Sequence, residues 1–167
     1  MIVIMLLDFE ANLTLNGSPA EIAIASKVES YYGYGPVYTN KLFQDSDRKI
    51  DNISKELDEL TFFQLSWEDV GNNSISVSCN MDCVVIMVAW ENADRQDNFV
   101  SILKDHDWIL KSEQQVSWRM VRWGYRVYGR SKAILSKKIK GGAILSFIRP
   151  ENDLPVSVFV NQGKKYH

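Results

Sequence analysis

Four aspartates stand where their carboxylates could share one site, namely Asp8, Asp82, Asp105 and Asp107. Carboxylates held close together repel one another unless a cation neutralises them, and Mg²⁺ and Mn²⁺ are hard ions that take oxygen ligands. Such an ion polarises a phosphoryl oxygen and activates water without a nucleophile from the protein. The four aspartates therefore predict a metal site for phosphodiester chemistry.

The elements around Asp8 predict a parallel sheet. Residues 2–8 are apolar up to the aspartate, which is typical of a strand buried on both faces. Ser18-Pro19-Ala20-Glu21 has the capping pattern of a helix start, and that helix is expected to end at Gly33. A strand over 37–43, a helix over 46–60 and a strand over 62–66 continue the alternation, which predicts an α/β fold.

The run Cys83 to Trp90, CVVIMVAW, fits either a buried strand or a buried helix. Asn80 and Asp82 are good helix-start residues, so a helix over 81–91 is predicted, followed by a strand over 97–103. The carboxyl ends of parallel strands share one edge of a sheet. Asp8, Asp105 and Asp107 are therefore expected at one mouth, with Asp82 facing them.

The remainder of the chain is predicted to alternate helices and strands. Apolar residues at helical spacing predict a helix from 108 to Gly124, and Ser131 starts a second helix through Lys140. Strands are predicted over 125–128 and 143–148. With 167 residues, the chain is expected to be one domain over 1–149, with 150–167 as an appendage containing an edge strand.

Four ordered pieces of the sequence resemble the NYN branch of PIN-like ribonucleases. They are LLDFEAN (6–12), CNMDCVVIMVAW (79–90), DNFVSILKDHDW (97–108) and GYRVYGRSKAIL (124–135). The resemblance covers roughly residues 1–149 and implies a Rossmann-like, three-layer PIN-like fold with a mostly parallel central sheet.

The same resemblance implies the chemistry of the site. It implies hydrolysis of RNA by metal-activated water, with Mg²⁺ or Mn²⁺ bound by Asp8, Asp105 and Asp107 and with Asp82 completing the catalytic set. Asn12 stands one residue later than the asparagine of the family and is assigned to RNA contact.

The charge is divided along the chain, which supports an RNA partner. Residues 1–110 carry 18 acids and 7 bases, whereas residues 111–167 carry 3 acids and 12 bases. Basic residues interleaved with aromatic ones are typical of a nucleic-acid surface. The residues assigned to it are Arg119, Arg122, Arg126, Arg130, Lys132, Lys137 and Lys138.

Two other functions stay open at this point. Lys104 replaces a glycine of the family and could pair with Asp105 or Asp107, which would give a catalytically degenerate RNA-binding or adaptor domain. An acidic sheet mouth also fits a metal-dependent phosphohydrolase that acts on a small phosphate ester.

The remaining features predict a cytoplasmic protein without a membrane segment. No apolar run reaches the ~18 residues that span a bilayer. Cys79 and Cys83 are too few for a disulfide framework, so they are expected to be buried free thiols in a reducing cytosol. A homo-oligomer or a protein partner is left open.

Overall fold

A computed structural model describes residues 8–25, 27–30, 36–38, 41–68, 71–112 and 116–162. Within these ranges the regular structure consists of strands and one short helix, α1 (Phe99–Asp105). The first eight strands are β1 (Ala11–Leu15), β2 (Ser18–Pro19), β3 (Glu21–Ile24), β4 (Lys27–Ser30), β5 (Pro36–Tyr38), β6 (Lys41–Phe43), β7 (Ser46–Asn52) and β8 (Thr61–Gln64). The others are β9 (Asn73–Cys79), β10 (Cys83–Trp90), β11 (Ile109–Ser112), β12 (Ser117–Arg122), β13 (Tyr125–Ile139), β14 (Ile144–Arg149) and β15 (Val156–Gln162).

The strands form two large antiparallel sheets. The smaller sheet has the order β14-β9-β1-β2. The larger sheet has the order β3-β8-β15-β10-β13-β12-β7-β6, and β11 pairs with β13 beside that path. β4 and β5 pair with each other. Every pairing between these named strands is antiparallel, which gives a β-sandwich-like architecture.

The larger sheet is covered on both faces, and β10 lies at its centre. Val85 and Met87 point to a first core shared with the smaller sheet, where they meet Leu13 and Val77. The alternate residues of β10 point to a second core on the opposite face. All eight residues of β10 are buried. A strand that is covered on both faces must be apolar throughout, which explains the unbroken run CVVIMVAW.

The strand β13 is 15 residues long and serves two sets of partners. Its second half pairs with β10, from Ser131 to Ile139. Its first half pairs with β12 to make a hairpin, with Arg122 opposite Tyr125. β13 therefore extends beyond the end of β10, and the hairpin projects past the end of that central strand.

The helix α1 caps the first core with one face. Phe99 and Leu103, four residues apart, are its buried side chains. Its first turn is held by Asp153, whose carboxylate accepts hydrogen bonds from the backbone N–H groups of Asn98 and Phe99 at 3.1 and 3.0 Å. A carboxylate at this end of a helix satisfies donors that have no partner within the helix.

The two sheets are also joined covalently. Cys79, the last residue of β9, forms a disulfide with Cys83, the first residue of β10. Both are buried. The prediction of two free thiols is therefore wrong. Among the described residues, no helix is both long enough and apolar enough to cross a membrane.

The predicted α/β class, with its Rossmann-like parallel sheet, is wrong because the strands are antiparallel and pack as two sheets. Asn16 and Gly17, both at positive φ, form a two-residue turn between β1 and β2 where a helix start was predicted nearby at Ser18. Asn-Gly is a strong signal for a hairpin turn, and it outweighs the capping pattern that follows it.

The other helix predictions fail for related reasons. The predicted helix 46–60 begins with β7, and 81–91 contains β10. The described parts of 108–124 form β11, β12 and the turn Trp123-Gly124, and residues 113–115 of that prediction lie outside the described residues. Residues 131–139 continue β13. Conversely, the predicted strand 97–103 overlaps α1. Short apolar runs fit either structure, and here the pairing of neighbouring strands decides between them.

Some strand predictions are confirmed in place. Residues 62–66 overlap β8, and residues 143–148 overlap β14. Residues 156–162 form β15, which lies between β8 and β10 inside the larger sheet, whereas an edge strand was expected there. The strand predicted over 2–8 lies outside the described residues, apart from Asp8.

Candidate functional site

A cleft opens where β13 continues past the end of β10. After Trp90 the chain leaves the sheet as the loop 91–97, and the Glu91 N–H donates to the Arg130 carbonyl at 2.9 Å. The cleft has a volume of about 530 Å³. Its lining residues are Glu91, Asn92, Ala93, Ser117, Trp118, Tyr128, Gly129 and Arg130. We call this the hairpin cleft.

Trp118, one of the residues that line the hairpin cleft, packs with Trp67 and Arg48, which lie outside that lining. The rings of Trp118 and Trp67 meet edge to face, with centroids 5.7 Å apart. The Arg48 guanidinium lies 3.6 Å from the Trp67 centroid and 4.5 Å from the Trp118 centroid. Burial lowers the pKa of Arg48, and nearby Arg122 adds to this effect, whereas the charges of Glu68 and Asp45 oppose it. The indole of Trp118 is therefore packed against a second indole and a cation.

Gly129 leaves the space that the Trp118 indole fills. A Cβ atom at Gly129 would collide with the indole of Trp118, which lies against the glycine across the β12–β13 ladder. Trp118 is buried, and its Nε1 has no hydrogen-bond partner among the described residues. The Trp118 indole is therefore a packing group of the second core, and its N–H is enclosed.

One wall of the cleft presents an accessible ring. Tyr128 is 51% exposed, and the Arg126 guanidinium lies 5.9 Å from its ring centroid. Facing it is Glu91, whose Oε2 accepts from Arg130 Nε at 3.0 Å. The amide of Asn92 adds both donor and acceptor groups. An apolar ring face thus lies beside a carboxylate, an amide and a guanidinium.

The loop 91–97 contributes to two further depressions, which share Glu91 and Asn92 with the hairpin cleft. One, of about 290 Å³, includes Lys132 and Asp97. The other, of about 480 Å³, includes Arg95, whose Nη2 lies 3.6 Å from Oε2 of Glu68. Charges of both signs are paired along this loop. The surface is rich in hydrogen-bonding groups without a large excess of either charge.

The structure does not place the four aspartates in the predicted mouth. Asp82 accepts a hydrogen bond from the Gly141 N–H at 2.9 Å, near the β9–β10 connection. Asp105 ends α1, and Asp107 follows it at a φ of 67°. Asp8 precedes β1, and its carbonyl accepts from Asn80. Across the described residues, which include all four aspartates, no group of three or more His, Cys, Asp or Glu could hold a metal.

Three further predictions concern the metal ion, Asn12 and Lys104. The assignment of Mg²⁺ or Mn²⁺ stays an untested prediction. Asn12 lies in β1 opposite Ser78 and is exposed. Lys104 is exposed in the last turn of α1.

The basic residues predicted to contact RNA do not form one continuous surface. Arg119 is buried, with its Nε 3.3 Å from Oδ1 of Asp51. Arg130 pairs with Glu91, and Lys137 donates to the His106 carbonyl at 2.7 Å. Arg122, Arg126, Lys132 and Lys138 are exposed at different points of the long hairpin and β13. An RNA partner stays a prediction.

Sequence reasoning missed the loop 91–97. The segment ENADRQD follows directly on a buried strand, and its polar side chains are what a loop that lines a cleft requires. The helix assigned to 81–91 concealed it, because Glu91 then became a helix end. In the sequence, Trp118 and Tyr128 contribute only to the interleaving of basic and aromatic residues.

The class of protein that this fold defines is an antiparallel β-sandwich-like domain. It is similar to part of a β-glucuronidase from glycoside hydrolase family 2, with a TM-score of 0.56 and 10% identity over 86% of this chain and 13% of that chain. It is also similar to a GH138 enzyme targeting pectin rhamnogalacturonan II, with a TM-score of 0.54 and 16% identity over 95% of this chain and 17% of that chain. This chain thus spans less than one fifth of the length of either enzyme.

These similarities correct the family resemblance drawn from the sequence. No family model matches the sequence, and no curated protein matches it. Because the similar structures are β-sandwich-like domains of glycoside hydrolases, the resemblance to NYN-type PIN-like ribonucleases is wrong. The prediction of a Mg²⁺- or Mn²⁺-dependent ribonuclease, and that of a degenerate PIN-like adaptor, are overturned with it.

Proposed function

We propose that this chain is a carbohydrate-binding domain whose ligand occupies the hairpin cleft. The observation that carries the proposal is the exposed ring of Tyr128 in one cleft with the carboxylate of Glu91 and the amide of Asn92. A sugar ring has an apolar face of C–H groups and an edge of hydroxyls. The aromatic ring suits the first, and the carboxylate and amide suit the second.

The arrangement of the carboxylates favours binding over hydrolysis. A glycosidase of the usual kind needs two carboxyl groups about the scissile bond, one of which donates a proton. Glu91 and Glu68 are each held by an arginine, Arg130 and Arg95 respectively. Ion-paired carboxylates are suited to accepting hydrogen bonds from hydroxyl groups.

The similar structures support the choice of ligand class. Both are named as enzymes that act on carbohydrates, and this chain corresponds to only 13% and 17% of their lengths. We propose that the chain serves a carbohydrate-related role of the same general kind, as one domain. The Cys79–Cys83 disulfide supports an oxidising compartment outside the cytosol, because disulfides are rare where thiols are kept reduced.

The proposal is tested by titrating the purified chain with plant and bacterial polysaccharides, for example xylan, galactan, glucomannan and polygalacturonate, in a calorimeter. We expect binding to at least one of them, and we expect Tyr128→Ala to weaken it roughly tenfold because the stacking ring is lost. Ile148→Ala is the matched control, since Ile148 is similarly exposed at 58% on the other sheet.

Two results would contradict the proposal. One is the absence of binding to every polysaccharide. The other is binding that Tyr128→Ala and Ile148→Ala leave equally unchanged. Release of reducing sugars by the wild-type chain would show instead that the domain is itself catalytic.

A further inference from the structure

The tip of the β12–β13 hairpin carries the most exposed aromatic residue of the described chain. Trp123 is 89% exposed. It occupies the first position of the two-residue turn at a φ of 53°, followed by Gly124 at 81°. Turns with two positive φ values favour Asn-Gly, and a bulky residue is strained there. Exposure and strain both disfavour tryptophan at this position, and the indole gains no burial in return.

Two neighbours complete the tip. Tyr125 is 76% exposed and lies directly opposite Arg122 in the ladder, so their side chains share one face of the hairpin. Arg122 is exposed as well. The sequence has no Asp or Glu from 114 to 150, so the β12–β13 hairpin itself carries basic residues and no acid. We call Arg122, Trp123 and Tyr125 the tip group.

The tip group is separate from the hairpin cleft. Tyr128 lies opposite Arg119, whereas Tyr125 lies opposite Arg122. Since side chains alternate along a strand, residues three apart point to opposite faces. A ligand that reaches Tyr128 therefore does not lie on Tyr125, and the tip requires its own explanation.

We propose that the tip group is a second carbohydrate contact, specific for sugar rings that carry a carboxylate. This inference rests on the proposed function and names a ligand class for it. Exposed aromatic rings suit the apolar face of a pyranose, and a guanidinium pairs with a carboxylate through two parallel hydrogen bonds. Two contacts on one polymer raise the apparent affinity beyond that of either alone.

An acidic polysaccharide fits the tip better than RNA does. Binding of single-stranded RNA requires a groove of cations that follows the phosphates. Here the cations are distributed over a strand of 15 residues, roughly 50 Å at ~3.4 Å per residue, and Arg119 and Arg130 are already paired with acids. The tip itself presents one cation beside two rings, which matches a single charged sugar.

The test compares polygalacturonate with its methyl ester, which has the same backbone without the charge. We expect the wild-type chain to bind polygalacturonate roughly tenfold more tightly at low salt, with the preference declining as salt is raised. Arg122→Gln should abolish the preference and leave binding of the ester unchanged. Trp123→Asn should weaken binding of both polymers roughly tenfold, while the melting temperature stays the same or rises because Asn-Gly suits the turn.

Each outcome decides between the two proposals. If Trp123→Asn and Arg122→Gln bind like wild type while Tyr128→Ala does not, the tip contact is overturned and the hairpin cleft stands. If the wild-type chain binds neither polymer, this inference fails, and the wider polysaccharide series then decides the proposed function. Tight binding of polyuridylate that Trp123→Asn abolishes, without binding of polygalacturonate, would assign the tip to RNA.

Discussion

The indole of Trp118 lies against Gly129 on the neighbouring strand so closely that a methyl group at Gly129 would overlap it. The indole cannot simply turn away, because Trp67 and the Arg48 guanidinium hold it from other sides. One glycine thus fixes the position of an indole that lines the hairpin cleft and packs in the second core.

We expect Gly129→Ala to lower the free energy of unfolding by about 1–3 kcal/mol, the usual cost of overpacking a well-filled core. Urea titration followed by circular dichroism measures it. Ser117→Ala on the adjacent strand is the control and should change the stability by less than about 0.5 kcal/mol. Equal stability of Gly129→Ala and wild type would show that the Trp118 side chain can adopt another conformation.

The carboxylate of Asp45 predicts a pH dependence. Burial raises the pKa of Asp45, but hydrogen bonds from the backbone of Trp67 and Glu68 and from the Ser66 hydroxyl outweigh it, so the pKa is lowered from 3.8. A group with a lowered pKa stabilises the fold above its unfolded value, and that contribution is lost as the pH falls below about 3.8.

We therefore expect the stability of the wild-type chain to fall more steeply below pH 4 than that of Asp45→Asn. At pH 7 the variant should be less stable by about 1 kcal/mol, because Asp45 is exposed and its hydrogen bonds compete with water. Urea midpoints from pH 7 to 2.5 provide the measurement. Parallel curves for the two proteins would exclude Asp45 as the source of the acid dependence.

The disulfide predicts a redox dependence of stability. Its closed loop is short, since Cys79 and Cys83 are four residues apart, so the entropy model gives a contribution of only about 2 kcal/mol. We expect a reducing agent to lower the free energy of unfolding by that amount. The double variant Cys79→Ala/Cys83→Ala should start from the lower value and show no response to the reductant. A response in the double variant would point to an effect unrelated to the disulfide.

Asp153 predicts a large effect on stability. It is fully buried, and its two oxygens accept from Asn98, Phe99 and Leu154. Asp153→Ala would leave three backbone donors unsatisfied. Burial lowers the pKa of Arg149, and the variant would also remove the nearby charge that opposes this effect. We expect a loss of about 3 kcal/mol or more.

Hydrogen exchange should locate that loss in the first turn of α1, at the amides of Asn98 and Phe99. Asp153→Asn retains the oxygen that accepts from those amides if it keeps its orientation, so it should lose less. Unchanged exchange at α1 in Asp153→Ala would contradict the capping role.

Two of the predicted strands lie near the positions that the sequence indicates. Thr61–Gln64 and Ile144–Arg149 alternate or cluster as strands and were found near their expected positions. The central strand β10 was assigned to a helix because an apolar run covered on both faces lacks alternation, which is the usual mark of a strand. Only knowledge of its neighbours, β13 and β15, resolves the choice.

The candidate site was missed because it depends on long-range pairing. Glu91 and Arg130 are 39 residues apart and meet only when β10 and β13 pair. The family resemblance placed carboxylates by their order along the chain, but order alone does not bring residues together. The charge division, by contrast, is visible in the sequence, and the β12–β13 hairpin that carries basic residues and no acid is its clearest structural result.

The distribution of tryptophan gives the chain two optical reporters. Four of the five tryptophans are buried, namely Trp67, Trp90, Trp108 and Trp118, whereas Trp123 is exposed to solvent. Acrylamide should therefore quench only the long-wavelength part of the emission from the folded chain, and that part belongs to the hairpin tip. Binding of a ligand to the tip group and unfolding of the two cores can then be followed in one emission spectrum without an attached dye.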